Sequence, residues 1–427
     1  MKVLEFKVKG KKTQYAAIDE AIRTGQFVRN KCIRYWMDNK GVGQKDLYRH
    51  NTWLRAEYAF VKDLNSHACQ ASVERAYSSI ARFYDKCKKQ VPGKKGYPKF
   101  KKFSRFGVAD AARTVEYKTS GWKLSGDAKS INFLDKKGIG KLKLKGTWEL
   151  WRYDLKLIKR VRLVRRADGY YVQFCIKIDT KESLEPAHTN VGLDVGLKEF
   201  YTDSKGGVEP NPRFYRKGEK KLKFYQRRVS RKKKGKAVGH ASRTSNRKKA
   251  INRLGRTHLK ISRQREEHAK RLARCVIHSN DVVAYEDLRV KNLVKNHCLA
   301  KSINDAGWYQ FRKWLEYFGQ KFGKQTIAVN PAYTSQNCSS CGEVVKKSLS
   351  TRTHSCSCGC VLDSPKATLR ERDHNAAINI LKRALGTVGH TGTWIVDPNA
   401  LGEDASTLSD SGLKEQATSL IKESPFL

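Results

Sequence analysis

Two cysteine clusters lie close together near the end of this 427-residue chain, as CSSCG at residues 338–342 and CSCGC at residues 356–360. Thiolates on two short turns are the usual ligands of a tetrahedral zinc ion. Such an ion determines the local fold, because metal binding is coupled to folding and the free energy of binding stabilises the folded state. We expect one zinc ion here. The candidate ligands are Cys338, Cys341, Cys356 and Cys358, with Cys360 as a substitute.

The chain carries 88 Lys and Arg against 41 Asp and Glu, a formal net charge of +47. Self-repulsion of this size destabilises a compact state unless a polyanion neutralises it. Nucleic acid is therefore the expected partner. A basic ribosomal-type binding protein is the alternative, but 39% hydrophobic residues leave room for a catalytic core.

The sequence offers no membrane segment. It has no apolar run of about 18 residues, and a charge at Lys2 comes too early for the apolar core of a signal peptide. We therefore expect a cytoplasmic protein whose cysteines stay reduced, with the six cysteines outside the clusters as small buried residues.

In the first half of the chain, segments whose apolar residues follow the two-residue period of a strand alternate with a segment that follows the helical period. Residues 4–8 alternate apolar and charged positions, which predicts a strand, and helical spacing follows over residues 13–90. The basic segment 93–103 is either a solvated linker or a phosphate-binding loop with aromatic residues for stacking. Residues 161–178 predict a hairpin with one basic face, which could close a small barrel with the first strand.

Two short apolar segments each contain an acid. Asp194 lies within VGLDVGL, and Glu286 ends a second segment that begins at Val282. A charge within a buried strand is costly unless it is paired, so each acid is either a structural ion-pair member or a metal ligand. A third acid, Asp373, precedes the helical pattern NAAINIL.

Residues 216–265 hold 21 Lys and Arg against one acid, Glu219. A charge run is usually a solvated face, but this run continues into a helical pattern, which favours a long basic helical pair along a phosphate backbone. Residues 308–322 carry an aromatic stripe at helical spacing, which predicts core packing rather than a stacking site.

These motifs resemble the TnpB (OrfB) proteins of bacterial insertion sequences, which are related to the type V CRISPR effector nucleases. The resemblance is carried by GLDVGLKEF, VVAYEDLRVKNL, LAKSINDAGWYQF, YTSQNCSSCG and RDHNAAINIL. It extends over about residues 1–383.

The resemblance implies an α/β fold. Its parts would be an RNase H-like (RuvC-like) nuclease domain with a zinc-ribbon insert, preceded by a small β-barrel that carries a helical insert. The implied domains are a wedge-like β-barrel at 1–12 and 104–185, a helical recognition domain at 13–103, the nuclease domain at 186–331 and 362–383, the zinc insert at 332–361, and a mostly disordered tail at 384–427.

The resemblance also implies that Asp194, Glu286 and Asp373 bind two catalytic Mg²⁺ ions. Asp287 would point to the other side of its strand and serve a structural role. Family members run from the zinc segment directly into the last motif, whereas residues 364–371 look like an insertion in front of Asp373. Because Asp373 keeps the NAA helix, we assign catalysis to it rather than to Asp363.

The implied activity is Mg²⁺-dependent, RNA-guided endonucleolytic cleavage of DNA. The partners would be a guide RNA derived from the transposon end and double-stranded target DNA with a short adjacent motif. We expect a bacterial, nucleoid-associated monomer. The alternatives are an RNA-guided DNA-binding protein with impaired catalysis and a transposase or recombinase proper.

Overall fold

A computed structural model of the chain describes residues 1–103, 111–232, 245–346, 351, 353–359 and 371–390. These residues form two compact units. The first contains Met1–Asp179 with Tyr225–Leu259, and the second contains Thr180–Phe224 with the described residues from Lys260 onward.

The first unit combines an antiparallel sheet with a helical insertion. In chain order its elements are β1 (Lys2–Lys9), α1 (Lys12–Asp38), α2 (Gln44–Glu57), α3 (Ala59–Lys62), α4 (Ser66–Lys88), β2 (Lys102–Phe103), β3 (Ala111–Ala112), β4 (Thr114–Lys118), β5 (Trp122–Leu124), β6 (Ser130–Phe133), β7 (Gly140–Lys145), β8 (Ile158–Arg166) and β9 (Gly169–Ile176), with 3₁₀-helices at Thr119–Gly121, Trp148–Arg152 and Leu155–Leu157.

The sheet has seven antiparallel strands in the order β4-β8-β9-β1-β7-β6-β5. Strand β1 is central, and its alternating Leu4, Phe6 and Val8 are buried, as the sequence pattern predicts. The two edge strands are joined by a three-residue 3₁₀-helix. The rings of Tyr117 and Phe133 lie 4.9 Å apart inside the fold, so the sheet curls around one core.

The helices between β1 and β4 follow the predicted 3.6-residue period. Ile18, Ile22 and Ile33 of α1 are fully buried, and they recur on the face of the helix that packs against α4. The side chain of Asn65 accepts a hydrogen bond from the backbone N–H of His67 and so caps the start of α4.

The predicted hairpin of β8 and β9 forms, but its basic face is partly neutralised. Arg160 Nη1 and Arg162 Nε donate to the two carboxylate oxygens of Glu116 on β4 at 2.5 and 2.6 Å. Burial alone would raise the pKa of Glu116, but the charges of Arg162 and Arg75 and these hydrogen bonds lower it to about 2. Two arginines of the predicted basic face therefore hold a buried carboxylate within the sheet.

The second unit is built on a mixed sheet. The elements that follow β9 in the chain are β10 (Asn190–Val195), β11 (Glu199–Asp203), β12 (Val208–Pro210), α5 (Phe214–Arg231), α6 (Ser245–His278), β13 (Val282–Glu286), α7 (Val290–Leu293), α8 (His297–Ala306), α9 (Trp308–Phe322), β14 (Gln325–Val329) and α10 (Glu371–His390).

Its five strands lie in the order β12-β11-β10-β13-β14. The hairpin strands β11 and β12 continue antiparallel from β10, whereas β13 and β14 run parallel to β10. One face packs on the aromatic stripe of α9, which is buried as predicted. The stripe consists of Trp308, Phe311, Leu315, Phe318 and Phe322.

Helix α10 contacts the mixed sheet, including β10, β11, β13 and β14. At Gly192 of β10 it comes so close that a Cβ atom would lie 2.2 Å from the carbonyl oxygen of Ala377. Only glycine permits this approach. Ile380 and Ala384 pack on Ala284 and Val329 on the same face. No described helix is long and apolar enough to cross a bilayer.

Two expectations from the sequence are wrong in detail. Cys87, Cys275 and Cys298 are exposed rather than buried, because each lies on a side of its helix that faces away from the core. Helix α10 continues to His390, and its residue Ala384 is buried where the helix packs on the sheet, so residues 384–390 are helical rather than disordered.

Candidate metal and carboxylate site

The carboxylate residues Asp194 and Glu286 lie at the carboxyl ends of two adjacent parallel strands. Strands β10 and β13 pair Gly192 with Ala284 and Leu193 with Tyr285, so Asp194 and Glu286 follow at the next position of this register. Neighbouring strands are about 4.8 Å apart. Side chains alternate between faces, which puts both acids on the Gly192 and Ala284 face, where α10 packs.

The third acid, Asp373, lies in the first turn of α10. It precedes Ala377 by one helical turn and therefore belongs to the helix face that contacts Gly192. Its side chain is mostly shielded, and Nε of Arg372 lies 3.4 Å from its Oδ1. Asp373 thus begins the helix that covers the strands of the other two acids.

The three carboxylates do not form a cluster that could share one ion. Among the described residues, the only group of three or more His, Cys, Asp or Glu side chains that could do so is the cysteine cluster. Without a cation between them, carboxylates repel one another. Three residues that bind two ions need not all lie within reach of the same ion.

The carboxyl group of Glu286 is largely buried and has a side-chain hydrogen-bond partner. Burial raises the pKa of its carboxyl group, while a hydrogen bond from Thr334 and the charge of Arg383 act in the opposite direction. The hydroxyl of Thr334 donates to Oε1 of Glu286 at 2.6 Å. A carboxylate removed from water in this way is a good ligand for a divalent cation, because the cation offsets the cost of burying its charge.

Asp287, the next residue, has a different environment. Its carboxylate is about half exposed and forms an ion pair with Arg312. Its backbone N–H donates to the carbonyl of Val329. It is therefore held by a surface interaction.

The four predicted cysteines come together. The sulfur atoms of Cys338, Cys341, Cys356 and Cys358 all lie within 4.8 Å of one another. Two of the distances are 3.8 Å, from Cys338 to Cys358, and 3.5 Å, from Cys341 to Cys356. Tetrahedral zinc with bonds of about 2.3 Å requires sulfurs about 3.8 Å apart, so the cluster could hold zinc. Cys360, the substitute ligand, lies outside the described residues.

Each half of the cluster is a tight turn. Gly342 follows Cys341 with φ of 82°, and Gly359 follows Cys358 with φ of 72°. Burial opposes ionisation of Cys338, but hydrogen bonds from the backbone N–H of Cys341 and from His354 lower the pKa of this thiol to about 5. The thiolate is the form that binds metal.

Two asparagines that sequence reasoning missed connect the cysteine segment to α10. Asn375 accepts a hydrogen bond from the backbone N–H of Ser339 at 2.8 Å and donates to the carbonyl of Asn337 at 2.7 Å. Asn379 donates to the carbonyls of Thr334 and Asn337. Their spacing of four residues within the apolar run of the helix was the available signal, because it places both amides on one face.

The chain matches two family models, OrfB_IS605, described as a probable transposase, over residues 173–297, and the Cas12f1-like TNB domain over residues 308–380. "Putative RNA-guided DNA endonuclease InsQ" from Escherichia coli (strain K12) is 28% identical over 350 residues, which are 75% of this chain and 78% of that protein. These matches agree with the resemblance to the TnpB (OrfB) proteins.

Other relatives match a smaller part of the chain. "Putative RNA-guided DNA endonuclease" from Streptomyces pristinaespiralis is 35% identical over 222 residues, 52% of this chain and 51% of that protein. TnpB-like protein L79 of Acanthamoeba polyphaga mimivirus is 26% identical over 230 residues, 50% of this chain and 41% of that protein. The chain thus spans about half the length or less of these two relatives.

A solved structure shares the fold of this chain. The cryo-EM structure of the Cas12f1-sgRNA-target DNA complex aligns with a TM-score of 0.51 and 13% identity, and it covers 87% of this chain and 83% of that one. At this identity the likeness shows the fold alone.

Proposed function

We propose that this protein is an RNA-guided DNA endonuclease whose second unit is an RNase H-like (RuvC-like) nuclease domain. The observation that carries the proposal is the position of Asp194 and Glu286 at adjacent strand ends, on the face covered by the helix that begins with Asp373. The names of the bacterial relatives agree with this activity.

Asp194, Glu286 and Asp373 would hold two Mg²⁺ ions. Their oxygen ligands and the burial of Glu286 suit hard divalent cations. When bound, such a pair of ions activates the attacking water and stabilises the leaving oxygen of a phosphodiester. The chain's own contribution is orientation. Thr334 holds the Glu286 carboxylate, and the asparagines of α10 join that helix to the segment containing Thr334.

The cysteine cluster would bind one structural zinc ion, with Cys338, Cys341, Cys356 and Cys358 as its ligands. Four protein thiolates leave no open coordination position, which is typical of structural rather than catalytic zinc. The ion would fix the turn that Asn375 and Lys382 contact at Ser339.

The nucleic-acid partners would be a guide RNA derived from the transposon end and a double-stranded DNA target with a short adjacent motif, at the bacterial nucleoid. The basic helices α5 and α6 would follow the phosphate backbone, and their single acid between residues 216 and 265, Glu219, is already paired with Lys223 and Lys301. The domains would follow the bounds given by the family resemblance, with helices α1–α4 as the recognition domain.

The RNA that co-purifies with the protein tests this proposal directly. We expect one discrete RNA species whose sequence maps to the end of the transposon that encodes the protein. Sequencing would contradict the proposal if it returned only degraded cellular RNA at the same level as for an unrelated basic protein.

Replacement of Thr334 by valine should slow DNA cleavage by roughly 10- to 100-fold, the usual cost of losing a group that orients a metal ligand. The lost hydrogen bond lowers the pKa of Glu286 in the native protein, so the variant's carboxyl should ionise at a higher pH. Since the ionised carboxylate is the active form, the acidic limb of the pH–rate profile should move to higher pH.

The matched control is Thr334→Ser, which keeps the hydroxyl and should keep the wild-type profile. If Thr334→Val lost rate equally at every pH, or if Thr334→Ser behaved like it, the hydroxyl would have only a packing role.

A further inference from the structure

Two tryptophans, Trp148 and Trp151, are the most exposed large hydrophobic side chains among the described residues, with 69% and 62% of their surface open. Both belong to the 3₁₀-helix Trp148–Arg152. Side chains three residues apart eclipse one another in a 3₁₀-helix. The two indoles therefore project from the same side of this short element. We call this pair the tryptophan platform.

The fold holds the platform in place. Leu150, between the two tryptophans, is only 2% exposed. Oε1 of Glu149 accepts a hydrogen bond from Nζ of Lys2 at 2.5 Å, and the guanidinium of Arg152 lies 5.3 Å from the ring centre of Trp148. The short helix that carries the indoles is thus held in place while both rings remain exposed. Two neighbouring exposed rings on a fixed element are unusual without a ligand to cover them.

A row of lysines leads to the platform. The exposed residues of β7 are Lys141, Lys143 and Lys145, and the strand ends three residues before Trp148. Lys143 lies directly opposite Lys9 of β1, and Lys145 lies opposite Lys7. Like charges in opposing positions destabilise a sheet. Lys7 approaches Asp168 at 3.8 Å, but Lys9, Lys143 and Lys145 have no ion pair among the described residues. An external anion would relieve this repulsion.

We propose that the tryptophan platform and the β7 lysines form a binding site for unpaired nucleotides of RNA. Flat indole faces stack on bases of any sequence, and a row of cations follows the phosphates. Bases in a DNA duplex are covered on both sides by their neighbours, whereas loops and ends of RNA offer unstacked bases. The site deepens the proposed function, on which it rests, because it adds a binding surface for the unpaired part of the guide RNA.

The experiment measures binding of three labelled probes, which are the RNA extracted from the purified complex, an oligouridylate, and an oligothymidylate of equal length. The double variant Trp148→Ala, Trp151→Ala should bind both RNA probes more weakly, by roughly 5- to 150-fold for each base that can no longer stack on an indole. Its salt dependence should not change. The control Leu155→Ala removes a half-exposed apolar side chain from the next 3₁₀-helix without removing a ring, and it should bind as the wild type does.

The lysine variant Lys143→Ala, Lys145→Ala should instead flatten the plot of log affinity against log salt, by about 0.7 for each phosphate that the variant leaves without a cation. Lys123→Ala, Lys159→Ala removes the same charge from other exposed positions of the sheet and should leave the slope nearly unchanged. Unaltered oligouridylate binding in the tryptophan variant would overturn the inference, and so would equal weakening for oligothymidylate. Absence of a discrete extracted RNA would overturn the proposed function, while oligouridylate still tests the platform.

Discussion

Replacement of Asp194 by alanine should abolish guided DNA cleavage, with the rate falling by well over about 100-fold. Even the loss of a group that only orients a metal ligand costs about 10- to 100-fold, and we assign Asp194 as a ligand itself. It lies next to Glu286 in the strand register, on the face that carries α10. The measurement is the rate of linearisation of a target plasmid at saturating protein, with RNA and DNA binding measured in parallel.

Binding should survive this substitution, because the basic helices and the first unit retain their charges. The matched control is Asp287→Asn, which removes a carboxylate charge one residue beyond Glu286. Asp287 is held by Arg312 at the surface, so its loss should change the rate only a few-fold. Persistent cleavage by Asp194→Ala would refute the assignment, and a comparable loss in Asp287→Asn would show that any charge change near this strand end is damaging.

Replacement of Cys338 by serine should release zinc and disorder the two cysteine turns. Structural zinc sites contribute about 10–16 kcal/mol of apparent binding free energy, so this is the largest expected effect on stability. The disorder should also reduce cleavage, because Asn375 and Lys382 of α10 bind the backbone of Ser339. Metal analysis should find about one zinc per wild-type chain, as a four-thiolate site requires, and far less in the variant.

The control is Cys87→Ser, which changes an exposed cysteine at the end of α4, outside the cluster. It should keep its zinc and its thermal unfolding profile. If Cys338→Ser folded normally and retained full cleavage without zinc, the cluster would have no structural role.

Local patterns of apolar and polar residues predicted much of the fold, because they indicate which residues are buried. The apolar runs around Asp194 and before Glu286 form strands β10 and β13, and the aromatic stripe of α9 packs in the core. The four cysteines could be placed together because two turns of this kind have few uses other than metal binding. In each case the residues that decide the structure are neighbours in sequence or recur at a fixed period.

Long-range partners could not be predicted in this way. Thr334 and Glu286 are 48 residues apart, and neither periodicity nor composition indicates that one donates to the other. The same holds for Glu116, which pairs with Arg160 and Arg162 of the predicted basic face. Composition determines how many cations the chain has, whereas tertiary packing determines which of them remain available to nucleic acid.

The residues between the cysteine segment and α10 are the other part that the sequence left open. Residues 364–370 of the predicted insertion at 364–371 and the alternative acid Asp363 lie outside the described residues, as does the tail from residue 391 onward. The assignment of Asp373 therefore rests on its place in the first turn of α10, on the face that contacts Gly192.

The most direct test of RNA-guided cleavage compares two supercoiled plasmids that differ only in whether they contain a sequence complementary to the co-purifying RNA. The purified complex with Mg²⁺ should linearise the matched plasmid and leave the mismatched plasmid intact, and omission of the divalent ion should stop the reaction. Equal cutting of both plasmids, or tight binding of the matched plasmid with no cutting, would contradict the assignment of this protein as an RNA-guided endonuclease.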